Sequence, residues 1–136
     1  MINELIELMR SQEEELKRLL ELLEIQYNMI MSKDTFGLEG LVDKIDDCGK
    51  EIAKKELQRR NVIGDKSIRD FVNNSNNNQL KEVYSLIQNT LQNVLLKKET
   101  NDTLLKQQIM FNNKILQMLN PSRESKIYNS YGSITR

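Results

Sequence analysis

Residues 2–30 read INELIELMRSQEEELKRLLELLEIQYNMI and carry apolar side chains at intervals of three, four and seven. The apolar stripe comprises Ile2, Leu5, Met9, Leu16, Leu19, Leu23 and Ile30. This is the heptad spacing of a helix that packs along its length against other helices. Glu13, Glu14 and Glu15 are predicted to lie mostly on the other, solvated side. The first helix is predicted over residues 2–31. At about 1.5 Å per residue it spans about 40 Å, which favours an elongated bundle.

A second helix is predicted over residues 35–62. The residues Ser32, Lys33 and Asp34 interrupt the first pattern, and Asp34 is the expected N-cap because its carboxylate can accept from free amides of the next turn. Its charged residues are expected to form a solvated face with ordinary side-chain pairs. Because the two stripes match in period, the predicted contacts join Leu16, Leu19 and Leu23 to Leu41, Ile45 and Ile52.

The third and longest helix is predicted over residues 79–119, ahead of Pro121. Between the second and third helices, residues 67–72 are compatible with one helical turn, and the Asn/Ser run 73–78 is predicted to be a loop. Asn101 and Asn112 lie at or beside the third stripe. Each either fixes the register of packing as a buried polar group or faces water at the boundary.

The composition agrees with an all-helical fold. The 136 residues include one proline, five glycines and no tryptophan, which is a poor supply of turns and aromatics for a sheet protein. We therefore predict an all-α protein in which three long helices form an elongated, antiparallel, coiled-coil-like bundle over residues 1–120. Residues 121–136 are predicted to be a flexible C-terminal tail.

Several classes of function are disfavoured by the residue inventory. The chain has no histidine and one cysteine, Cys48, so no catalytic, cofactor-binding or metal-binding residue is predicted and a small buried thiol is expected. Twenty basic residues balance twenty acidic ones, which argues against nucleic acid as a partner. No apolar run approaches the length of a membrane span, and the start does not read as a signal peptide, so a cytoplasmic protein without membrane insertion is expected.

The tail sequence PSRESKIYNSYGSITR contains Ile127, Tyr128 and Tyr131 among small and polar residues. No predicted core accommodates these side chains. They are either part of a disordered terminus or anchors of the kind found at interfaces, and the residues alone leave both interpretations open.

The whole chain resembles the FlgN family of flagellar export chaperones. The resemblance rests on the order of its segments: LKRLLELLEIQY (16–27), the break SKD (32–34), GKEIAKKELQRR (49–60), Asn101 followed by Leu104 and Leu105, and the tail motif beginning at Tyr128-Asn129 and ending at Gly132. Residues 60–78 match the family pattern poorly.

The resemblance implies a non-enzymatic cytoplasmic chaperone that holds hook-filament junction proteins by their C-terminal helical regions and delivers them to the flagellar export gate. A homodimer is left open. The candidate client-binding residues are Met110, Phe111, Ile115, Met118, Leu119, Ile127, Tyr128 and Tyr131. The alternative function is a structural coiled-coil subunit that self-associates or forms a stable helical complex, and an enzyme ranks third for want of a nucleophile with a base.

Overall fold

The computed structural model describes residues 2–64 and 66–120, which form four helices. They are α1 (Ile2–Ser32), α2 (Thr35–Ile63), α3 (Ile68–Asn74) and α4 (Asn78–Leu119). Helices make up 92% of the described residues and no strand occurs among them, so the predicted all-α class is confirmed. The three long helices begin and end within one residue of the predicted bounds.

The predicted count of three helices is corrected to four in the described part of the chain, because α3 forms a separate helix of seven residues. Its Val72 is buried in the same apolar cluster as Leu80, which anchors this short helix against its neighbours. The predicted loop is correspondingly shorter. It ends at Asn77, whose Oδ1 accepts a hydrogen bond from the backbone N–H of Leu80 at 3.0 Å and so caps α4.

The chain divides into two compact units, Met1–Lys98 and Glu99–Arg136. The first unit contains α1, α2, α3 and residues 78–98 of α4, and the described part of the second unit is the remainder of α4 with Asn120. The predicted boundary between a bundle over 1–120 and a tail over 121–136 stays a prediction.

The core of the first unit combines side chains from all four helices. Its buried members are Leu5, Ile6, Met9, Leu16, Ile63, Val72, Leu80, Val83 and Ile87. The first four are from α1 and the last three from α4, where they recur at helical spacing. The apolar stripe of residues 2–30 is therefore the surface on which the other helices assemble.

A second, smaller cluster lies between α1 and α2 and contains Leu22, Leu41 and Cys48. Leu19 and Ile45 pack against it, as the matching periods predict. Leu16 belongs to the first cluster, against which the predicted partner Ile52 also packs. The prediction for Leu23 is corrected, because Leu22 and not Leu23 is the leucine of the second cluster. Neighbouring leucines on a helix are about 100° apart, so a small rotation of α1 decides which of them faces α2.

Polar contacts give the relative directions of the helices within the first unit. Gln12 and Glu15 of α1 contact Glu56 and Cys48 of α2 respectively, so these two helices run antiparallel. Residues 78–98 of α4 run in the same direction as α1, because Glu13 contacts Thr90 and Glu24 contacts Lys97. That all three long helices form one elongated bundle stays a prediction.

The predicted solvation of the glutamate run in α1 is wrong for Glu13, which is only 5% exposed. Its carboxylate accepts from Thr90 Oγ1 at 3.2 Å and pairs with Lys17 Nζ at 3.1 Å. The adjacent Gln12 is also buried and donates from Nε2 to Glu56 Oε2 at 3.0 Å. The heptad stripe passes through position 12, so residues 12 and 13 face the neighbouring helices although both are polar.

The Glu56 carboxylate is held in its charged form by these contacts. Burial alone would raise its pKa, but the hydrogen bond from Gln12 and the charges and hydrogen bonds of Arg59 and Arg60 outweigh burial and lower the pKa of Glu56. A lowered pKa means that the ionised group stabilises the fold at neutral pH, and that this contribution is lost as the pH falls through the lowered value.

The turn between α1 and α2 has the predicted N-cap. Asp34 Oδ1 accepts from the backbone N–H of Gly37 at 2.9 Å. Glycine at position 37 allows this approach, because a Cβ atom there would collide with the Asp34 carboxylate. The cap satisfies one of the free amides at the start of α2.

Replacing Asp34 with alanine should lower the free energy of unfolding by about 1 kcal/mol, because the amide at the start of α2 then loses its side-chain acceptor. Chemical unfolding followed by circular dichroism measures the effect. Asp34→Asn is the control, since asparagine keeps an oxygen at the same place and should retain most of the stability. Equal losses in the two variants would contradict a role of this oxygen as a cap.

Candidate functional site

The end of α4 exposes a series of large apolar side chains to solvent. They are Met110, Phe111, Ile115, Leu116, Met118 and Leu119, and all belong to the second unit. Earlier in the same unit, Leu104, Leu105 and Ile109 are half-buried. Contiguous apolar surface at this density is typical of a site that another molecule covers.

Helical geometry sorts these side chains by direction. At about 100° per residue, Phe111, Ile115, Met118 and Leu119 fall within an arc of about 100°, the width that one neighbouring helix covers. We call these four residues the C-terminal stripe. They are four of the five predicted site residues that lie on α4.

Met110, the fifth predicted residue on α4, is separate from the stripe. It is 69% exposed, but its position lies about 100° from Phe111, on the side that also carries Lys106, Lys114 and Gln117. Leu116 was not predicted, and it lies about 60° beyond Leu119 at the other edge. Met110 and Leu116 therefore lie beyond the two edges of the stripe, and the role of Met110 in client binding stays a prediction.

The other three predicted site residues are Ile127, Tyr128 and Tyr131. They lie outside the residues that the structure describes. Their role stays a prediction.

Asn101 and Asn112, the two asparagines that the sequence places at or beside the stripe of α4, differ in environment. Asn101 is fully buried, whereas Asn112 is exposed within the second unit, next in sequence to Phe111. Of the two alternatives, Asn112 is therefore a boundary residue that faces water, whereas Asn101 is a buried polar residue. At Asn112 a small polar side chain lies beside the stripe without reducing its apolar area.

The charge around the C-terminal stripe is of one sign. Between residues 103 and 120 the only charged side chains are those of Lys106 and Lys114, and both are exposed. Neither forms an ion pair with another described residue. The site is an apolar stripe in a weakly basic setting.

The surroundings of Cys48 keep its thiol in the unreactive, protonated form. The buried thiol donates to the backbone oxygen of Glu15 at 3.4 Å and lies 3.6 Å from the Glu15 carboxylate. Burial raises the pKa of the Cys48 thiol, and the charge and hydrogen bond of Glu15 raise it further. A raised pKa disfavours the thiolate that nucleophilic or metal-binding cysteines require. The residue is part of the α1–α2 packing.

None of the helices in residues 2–64 and 66–120 combines the length and apolar character needed to cross a bilayer.

A family model described as FlgN protein matches residues 1–136. No curated protein and no solved structure matches the chain.

Proposed function

The chain belongs to the FlgN family, and we propose that it is a cytoplasmic export chaperone for hook-filament junction proteins. The family is one of flagellar export chaperones, which are not enzymes and generally bind hook-associated proteins. In this proposal the chain binds the C-terminal helical region of its client. It keeps the client soluble until the flagellar type III export gate accepts it.

The exposure of the C-terminal stripe is the observation that carries this proposal. An amphipathic client helix without its assembly partner exposes an apolar face, and a second apolar helix face can cover it. The stripe offers one aromatic, one methionine and two branched side chains on about two turns of helix. Methionine adapts to differently shaped partners, which suits a surface that receives more than one client.

A self-associating coiled-coil subunit is the second candidate function. It is favoured by the spacing of Phe111, Ile115 and Met118, which fits packing against an identical helix as well as against a client. The two hypotheses predict different masses for the isolated chain in solution. Light scattering of the isolated chain would give a permanent oligomer for the subunit and a client-dependent complex for the chaperone.

Titration calorimetry with a hook-filament junction protein of the same bacterium tests the chaperone function. The purified full-length client should bind, and a client lacking its C-terminal helical region should not. Binding should also prevent aggregation of the client at concentrations where it precipitates alone. Absence of binding, or equal binding by the shortened client, would contradict the proposal.

Removing residues 121–136 should weaken client capture or export and leave thermal unfolding unchanged. We propose that Tyr128 and Tyr131 contact the client or the export gate, because tyrosine combines a broad apolar face with a polar tip at low entropic cost. Tyr128→Ala should reproduce a large part of the loss, and Gly132→Ala, which removes no contact area, should have a smaller effect. A shortened chain with full capture and export would contradict this role, and an unfolded one would assign the segment to the core.

A further inference from the structure

The charges of the chain are divided unequally along its length. The chain has no net charge overall, yet residues 103–136 contain five basic residues and one acidic residue, a net side-chain charge of +4. Residues 1–102 consequently carry −4. The C-terminal stripe thus belongs to the basic part of an otherwise acidic chain, and the last acidic residue before it is Asp102.

The lysines near the stripe are available to a partner. Some lysines of the first unit, such as Lys17, Lys55 and Lys97, pair with a glutamate. Lys114 instead is exposed, unpaired among the described residues, and about 40° around the helix from Met118. Its ammonium can reach the flank of a helix that covers the stripe, because a lysine stem extends along apolar surface to place the charge at its edge.

We infer that the C-terminal stripe receives a net acidic amphipathic helix and that charge steers the encounter. This inference rests on the proposed function and adds the chemistry of the partner to it. Carboxylates that flank the apolar face of the partner meet Lys114 at close range, and Lys106, two turns earlier on α4, adds a weaker attraction that falls off over about one Debye length. The apolar contacts hold the complex, and the charges select the partner and raise the association rate.

A protein helix fits the stripe better than an anionic membrane does. Helices that lie on membranes combine an apolar face with a polar face rich in lysine and arginine, and often use tryptophan as an anchor. The segment 103–120 has two lysines and no tryptophan, and its polar face is formed mostly by glutamine and asparagine. Two charges are too few for strong attachment to a lipid surface, but they are enough to discriminate between partner helices.

Three synthetic peptides test the inference with the full chain. They share one apolar pattern of about 20 residues and carry glutamate, glutamine or lysine at the flanking positions. At about 20 mM salt the glutamate peptide should bind about tenfold or more tightly than the lysine peptide, with the glutamine peptide between them. At about 500 mM salt the three affinities should converge, because the charges are screened and the apolar contacts remain.

Charge-reversal variants show which lysines cause the preference for the glutamate peptide. Lys106→Glu combined with Lys114→Glu should abolish or invert the preference for the glutamate peptide. The control is Lys66→Glu combined with Lys81→Glu, two exposed lysines of the first unit, which changes the net charge equally and should preserve the preference. Equal effects of the two pairs would overturn the local role of residues 103–120.

The outcomes separate this inference from the proposed function. Equal binding of all three peptides at low salt, or a preference for lysine, overturns the acidic partner and leaves a helix-binding stripe. Binding of none of them at either salt overturns the inference, and calorimetry with the hook-filament junction protein then decides the proposed function separately. Tight binding to phosphatidylserine vesicles that the glutamate peptide does not compete away would identify a membrane as the partner and overturn the inference.

Discussion

Leu80→Ala is expected to lower the free energy of unfolding by about 2–5 kcal/mol, a large part of the total stability of a small domain. Leu80 has no solvent-exposed surface and lies in the core cluster that joins all four helices. Alanine there removes apolar contacts with α1 and α3 at once and leaves a cavity. The cap of α4 is preserved, because Asn77 accepts from the backbone N–H of residue 80 and not from its side chain.

Leu86→Ala is the matched control for this prediction. It makes the same chemical change in the same helix, but Leu86 is 46% exposed. The expected change is within about 0.5 kcal/mol, since little buried area is lost and alanine is a good helix former. Denaturant unfolding followed by circular dichroism compares the two variants. Similar losses in both would mean that residue 80 does not lie in a packed core.

The helices themselves were predictable from the sequence because their signals are local. Heptad spacing, the Asp34 cap and the stop at Asn120-Pro121 each act within a few residues, and the observed bounds of α1, α2 and α4 follow them closely. The interval of seven residues from Met9 to Leu16 also indicates which polar residues are buried. It leaves position 12 inside the stripe, so a buried Gln12 with a buried Glu13 beside it could have been expected.

What the sequence did not predict depends on tertiary contacts. Which of Leu22 and Leu23 faces α2 is decided by the rotation of α1 against two neighbours at once. The independent helix α3 forms because Val72 finds a place in a core made by distant parts of the chain. A segment of seven residues has no stable helix of its own, so its sequence alone carries a weak signal.

The sequence could predict the apolar residues of the candidate site on α4 but not their exposure to solvent. Apolar residues on a helix predict a buried face but do not say whether the chain itself or another molecule buries it. The core residues Val83 and Ile87 and the stripe residues Phe111 and Ile115 have the same spacing of four. Only the structure distinguishes the first pair, which is buried, from the second, which is exposed.

Phe111→Asp is expected to weaken binding of a hook-filament junction protein by about 100-fold or more, with no loss of folding. Phe111 is 58% exposed, so the free protein loses little packing when the ring is removed. In the proposed complex the same position lies beneath the client helix, where an aromatic anchor contributes strongly and a carboxylate would be buried without a partner. Ile115→Asp should act in the same direction, since it lies one turn away on the same stripe.

Met110→Asp is the control, and its neighbouring position makes the comparison sharp. The two variants introduce the same charge and the same helix propensity into adjacent residues of comparable exposure, so they alter electrostatic steering and helix stability alike. They differ in direction, because residue 110 lies about 100° from residue 111 and outside the C-terminal stripe. Met110→Asp should therefore change the affinity by no more than about threefold, less than 1 kcal/mol. Calorimetry measures both variants against one client. If the two weaken binding equally, the client does not dock on the stripe; if Met110→Asp is the more damaging, the client covers the side of α4 that carries Met110.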